Sequence, residues 1–117
     1  MKVITPGHYY GLENVEQGST YFKEQSLFFI QKTKRKDAPP IVQKLRPGDP
    51  EEFITVQNGT TNEEVLRVLI DRLKFLDEKF PCLENKHAIN HLTYALRWFE
   101  LRTKDRQKRD VEGKPEL

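Results

Sequence analysis

The sequence has 117 residues, a length that suits one domain of ordinary size and not two. Only 36% of residues are hydrophobic and 32% are charged. Mean hydropathy is -0.76, and no apolar run approaches 18 residues, which argues against a membrane span. Cys82 is the single cysteine, so neither an intrachain disulfide nor a cysteine-cluster metal site can form, and a reducing cytosol is the expected compartment. No charged segment followed by an apolar stretch opens the chain, so secretion is not expected. Twenty Lys and Arg against 18 Asp and Glu leave a net charge of +2, too small an excess for a general DNA-coating protein. Apolar content this low in so short a chain implies that a partner subunit helps to complete the core.

Residues 1–58 form a small β-rich region in which Pro6, Pro39, Pro40, Pro47 and Pro50 interrupt any helical period. The runs Leu27-Phe28-Phe29-Ile30 and Phe53-Ile54-Thr55-Val56 read as strands, and Tyr9-Tyr10-Gly11-Leu12 as a third. Charge and proline mark the stretch from Thr33 to Pro40 as a loop, and Lys32, Lys34, Arg35 and Lys36 make a cationic block there and just before it. Pro47-Gly48-Asp49-Pro50 is a second turn.

Residues 59–117 form a helical hairpin with a basic C-terminal end, and the whole is expected to make one compact domain. Thr61 is a good N-cap, and Glu64 three residues later fits a capping box. Val65, Leu66, Leu69, Leu73, Leu76 and Phe80 then recur at helical spacing, predicting a first helix over 62–79, about 27 Å long. Pro81 stops it. A second helix from roughly Leu83 to Lys108 carries the stripe Ala88, Ile89, Leu92, Ala95, Leu96 and Phe99 and reaches about 37 Å. The connection Phe80-Pro81-Cys82 is short enough to force the helices antiparallel. Beyond Phe99 the stripe fades into arginines, so the far end of the second helix is expected to project.

Six cations stand between Arg97 and Arg109 against two acids. Arg102, Arg106 and Arg109 follow one another at i, i+4 and i+7 on one helical face. Their planar, paired donors suit phosphate oxygens, although a solvated helix end favoured by the C-terminal dipole fits them as well. Asn85, near the start of the second helix, reads either as its cap or as an amide for a base edge or ribose hydroxyl. Phe75 sits off the Val65–Leu69–Leu76 stripe, a core edge or an exposed stacking platform, and periodicity alone favours core packing. Asn85 and Arg102 are 17 residues apart, hence about 25 Å along one helix. A small ligand touching both must lie between two protomers, with Phe75 and Asn85 from one and Arg102 and Arg106 from the other.

Glu84, His87 and His91 share a face, but His-x-x-x-His without the internal Glu of the zinc-protease motif is weak support for a metal. Cys82 has no adjacent basic residue to activate it and is expected to pack. No Ser-His-Asp order, phosphate-binding glycine loop or GxGxxG is present. The residues therefore offer no convincing catalytic constellation.

The ordered run Asn58-Gly59-Thr60-Thr61-Asn62-Glu63-Glu64-Val65-Leu66, Phe80-Pro81-Cys82-x-Glu84-Asn85, Ala88-Ile89, Ala95-Leu96-x-Trp98, Arg102-Thr103-x-x-Arg106 and Val111-Glu112-Gly113 spans residues 58–113. It resembles the Thoeris anti-defence sponges of phages, whose helical hairpin is shared with the anti-CBASS sponges. The resemblance implies an α+β fold, a small N-terminal antiparallel sheet followed by a long antiparallel hairpin. It also implies sequestration, with no catalysis and no cofactor, of a nucleotide immune messenger. That messenger is glycocyclic ADP-ribose in Thoeris defence and a cyclic di- or trinucleotide in CBASS. By motif position, Phe75 would stack on the base, Asn85 would bond a polar edge, and Arg102 and Arg106 would clamp the pyrophosphate, with Arg109 as an additional phosphate contact. The implied assembly is a homo-oligomer built from dimers, in some members hexameric, in the cytoplasm of the infected bacterium. Neither membrane nor nucleic acid is an expected partner. Two departures from the family pattern stand out: Asp110 where a glycine is usual, and histidines at 87 and 91. Two other readings remain open, a messenger-degrading enzyme using His87 or His91 as general base, and a nucleic-acid-binding hairpin using the Arg97–Arg109 block.

Overall fold

A computed structural model describes residues 1–16, 24–34, 37 and 53–108. The element order is β1 (Lys2–Thr5), β2 (Tyr9–Leu12), β3 (Gln25–Phe28), β4 (Gln31–Lys34), β5 (Phe53–Gln57), α1 (Asn62–Lys79) and α2 (Leu83–Lys108). This is an α+β chain with its strands first and its helices last. Its described residues fall into two compact units, one through Thr60 and one beginning at Thr61.

In the first unit, β1, β2 and β3 form an antiparallel sheet in that order, and β4 pairs antiparallel with β5 in a second. Pro6-Gly7 makes the β1–β2 turn. Proline presets the first central residue, Gly7 takes φ 78° at the second, and His8 N–H closes onto Thr5 O at 3.0 Å. Tyr9 lies opposite Phe28 across β2–β3, and their rings meet edge to face. The segment after β5 returns beside the start of the Phe29-Ile30 link. Thr60 N–H donates to Phe28 O at 2.8 Å, and Ile30 N–H donates to Thr60 O at 3.0 Å. Gly59 permits that approach, because a Cβ there would stand 2.5 Å from Phe28 O. The buried centre of this unit lies on β5, at Ile54 and Thr55.

Two expectations need correction here. The run Leu27–Ile30 is not one strand: β3 ends at Phe28, Phe29 makes a lone bridge to Thr60, and β4 starts at Gln31. Thr33 and Lys34 belong to β4 and not to a loop, since Thr33 pairs with Ile54 and Lys34 with Phe53. A partner strand with buried residues overrides the poor strand propensity of Gln-Lys-Thr-Lys. β1 had no clear signal either, for all four of its residues are exposed. Arg35, Lys36 and the Pro47–Pro50 turn lie outside the described residues.

The second unit is the hairpin, with both helices at the boundaries the periodicity predicts. Thr61 caps α1, its hydroxyl accepting from Glu64 N–H at 3.3 Å. The Glu64 carboxylate, however, turns forward to Arg67 Nη1 at 3.2 Å instead of closing a capping box. Thr103 Oγ1 donates to Glu63 Oε1 at 3.5 Å, and Arg67 pairs with Glu100 at 3.9 Å. The first turn of α1 therefore still accompanies α2 at Thr103. The seam thus continues past Phe99, where the apolar stripe fades, to Thr103. Ile70 is buried in α1, while α2 contains no buried residue. Neither helix is long and apolar enough to cross a membrane.

Candidate functional site

The hairpin turn is built by one carboxylate. Asp77 Oδ1 accepts the Cys82 backbone N–H at 3.1 Å, and Asp77 Oδ2 pairs with Lys86 Nζ at 3.1 Å. The Cys82 N–H bond, and then Lys86, hold the Asp77 carboxyl below the ordinary aspartate range. Cys82 is the cap of α2: its carbonyl receives Lys86 N–H at 3.3 Å, and its Sγ receives Asn85 N–H at 3.4 Å. Two sequence readings change as a result. Asn85 is the third helical residue and not the cap, so its side-chain amide is not committed to α2's first turn. Cys82 is half-buried, and its sulfur acts as a hydrogen-bond acceptor beyond filling space.

Near the same end of the hairpin, Phe75 is 53% exposed, which corrects the expectation of core packing: it lies away from the seam between the helices, at the surface. Lys79 Nζ stands 4.5 Å from its ring centroid, one helical turn on, a cation–π contact. Phe75 closes one end of an open concavity of about 590 Å³ along α1, shared with Glu64, Arg67, Val68, Asp71 and Arg72. Asn85 is not part of that lining.

At the open end, Arg102 is exposed and Arg106 half-buried on α2. Arg109 lies outside the described residues, as do Asp110 and Val111-Glu112-Gly113. Because α2 runs unbroken from Leu83 to Lys108, the separation of about 25 Å between Asn85 and Arg102 stands. One chain thus places Phe75 and Asn85 toward the turn and Arg102 and Arg106 toward the opposite end, and does not bring the four together. His87, His91 and Glu84 are all exposed. Among the described residues no group of three or more His, Cys, Asp or Glu side chains could hold a metal ion.

Sequence reasoning missed a second outward feature. Tyr94 and Trp98 pack edge to face at 6.2 Å, yet Trp98 is 58% exposed and Leu101 beside it 57%. Their spacing at i, i+4 and i+7, off the Ile89–Leu92–Leu96–Phe99 seam, was the available signal.

Strands leading into a long two-helix hairpin, with arginines near its open end, define a small α+β protein of the hairpin type without an evident catalytic centre among the described residues. No protein-family model matches the chain. It is similar to Thoeris anti-defense 1 of Bacillus phage SBSphiJ7, with 44% identity over 57 residues. That stretch is 48% of this chain and 40% of the phage protein. The resemblance to Thoeris anti-defence proteins read from the sequence motifs agrees with this similarity.

Proposed function

We propose that this chain is a phage anti-defence protein that binds a nucleotide immune messenger and withholds it from its effector without cleaving it. The similarity to a phage Thoeris anti-defence protein carries this reading. Glycocyclic ADP-ribose is the first ligand to consider, with cyclic di- and trinucleotides of CBASS as a second class. The protein acts in the cytoplasm of the infected bacterium as a homo-oligomer built from dimers, hexameric if the dimers associate further.

The pocket is formed by two chains. Phe75 of one chain stacks on the base, a contact of about 1–3 kcal/mol. Asn85 of the same chain bonds a polar edge with the side-chain amide that Cys82 leaves free of capping duty. Arg102 and Arg106 of the other chain clamp the pyrophosphate through charge-assisted hydrogen bonds, and Arg109 adds a phosphate contact. The separation of about 25 Å within one chain supports the two-chain arrangement. A helix α2 with no buried residue, on which Tyr94 and Trp98 are exposed, also supports a neighbouring subunit.

The test is to incubate the protein with glycocyclic ADP-ribose or a cyclic trinucleotide, remove it by ultrafiltration, heat-denature it and analyse the released material. Depletion followed by recovery of intact messenger is the expected result. Cleaved product would overturn the reading in favour of an enzyme using His87 or His91. Absence of depletion would overturn it and leave the nucleic-acid-binding hairpin to be tested.

A further inference from the structure

We infer that Arg72 and Asp71 are ligand-contacting residues, one bonding a phosphate and the other a hydroxyl or amino group, on either side of the Phe75 ring. The inference rests on the proposed role of Phe75 as a base platform and extends it to groups that no sequence motif singles out.

The geometry follows from one helix. Relative to Phe75, Asp71 is four residues earlier and about 40° to one side, while Arg72 is three residues earlier and about 60° to the other. Val68, two turns below, lies nearly in line and supplies an apolar floor. All four line the open concavity on α1. Lys79 stands over the Phe75 ring at 4.5 Å, so a stacked base takes the other face of the ring or displaces that ammonium.

The charges in this concavity differ in their commitments. Arg67 is held by Glu64 at 3.2 Å and by Glu100 at 3.9 Å. Arg72 and Asp71 are exposed and make no hydrogen bond or ion pair among the described residues. An uncommitted guanidinium has five donors in a fixed fork suited to a phosphate. An uncommitted carboxylate accepts only, which suits ribose hydroxyls or an exocyclic amine. With an aromatic ring between them, the three groups match the three chemical parts of a nucleotide.

The test is calorimetric titration of the full chain with glycocyclic ADP-ribose, in the wild type and in the Arg72→Ala, Arg72→Lys and Asp71→Asn variants. Helicity is followed in parallel by circular dichroism. Arg72→Ala is expected to weaken binding roughly 10- to 150-fold, the range for a hydrogen bond to a charged group. Arg72→Lys should recover part of that loss, and Asp71→Asn should weaken binding about tenfold, with unchanged helicity in all three. Wild-type binding together with unaltered affinity in Arg72→Ala and Asp71→Asn would overturn this inference and leave the sponge reading intact. No binding by the wild type would overturn both. Should Arg72→Ala lose helicity, Arg72→Lys decides: wild-type affinity with a lysine there would refute a forked phosphate contact.

Discussion

Replacing Gly59 by alanine tests how the first unit is held together. The added Cβ would stand 2.5 Å from Phe28 O, 2.7 Å from Phe29 C and 2.8 Å from Phe28 C. All three are backbone atoms, so no side chain can swing away to make room. Relief requires that the Asn58–Thr60 segment back off from the Phe28–Ile30 link. That movement breaks the Thr60 N–H to Phe28 O and Ile30 N–H to Thr60 O bonds. Two hydrogen bonds contribute about 1 kcal/mol each, and forced overpacking costs about 1–3 kcal/mol. Against this, alanine restricts the unfolded chain and returns about 0.4–1 kcal/mol. The net loss is about 3 kcal/mol. In native-state hydrogen exchange the Thr60 and Ile30 amides should then exchange roughly 150-fold faster, since about 1.4 kcal/mol is tenfold, while α1 amides are far less affected. A change below threefold at both amides would refute the claim that close backbone approach dictates glycine here.

Asp77→Asn should flatten the acid limb of the stability profile. A carboxyl held below its ordinary range stabilises the fold above about pH 3.9, and that contribution disappears as pH falls through its depressed folded value. Thermal melts between pH 7 and pH 2, compared between wild type and variant, measure it. Cys82→Ala should destabilise the hairpin by about 1 kcal/mol through loss of the cap, whereas Cys82→Ser should retain it; urea titrations followed by helical circular dichroism distinguish the two. Asn85→Ala should change hairpin stability by less than about 0.5 kcal/mol, because the side chain is not the cap, yet it should abolish or strongly weaken capture of glycocyclic ADP-ribose. Arg102→Ala and Arg106→Ala should each lose messenger binding with helicity unchanged, and unchanged affinity in both variants would remove them from the proposed pocket.

The helices were legible because their signals are local. Thr61, the Val65–Leu76 periodicity and Pro81 bound α1 without reference to any other part of the chain. The strands were legible only where apolar residues cluster, as at Phe53–Val56. β4 could not be read from Gln31-Lys32-Thr33-Lys34, because its partner strand makes it a strand. β1 carries no buried residue to leave a pattern. At the candidate site, the residue types and their separation along α2 could be read directly, which is how the proposal of a two-chain pocket arises. Capping by the Cys82 thiol could not, since cysteine is not among the usual caps and Asn85 three residues on is a better one by type. Nor was the placement of Asp71 and Arg72 on either side of Phe75 evident, because exposure and the lack of ionic partners among the described residues are properties of the folded chain.

A helix of 26 residues with no buried residue has consequences for how order is maintained along α2. Its backbone bonds are protected mainly by neighbouring turns of the same helix and by one seam against α1, so its amides should open at modest free energy. Any molecule that settles on it, whether a ligand or another subunit, adds its binding free energy directly to that opening cost. α2 is thus a reporter of occupancy: the extent to which its amides slow their exchange with water measures how much of the helix has been covered, and by mapping where they slow, along which of its turns.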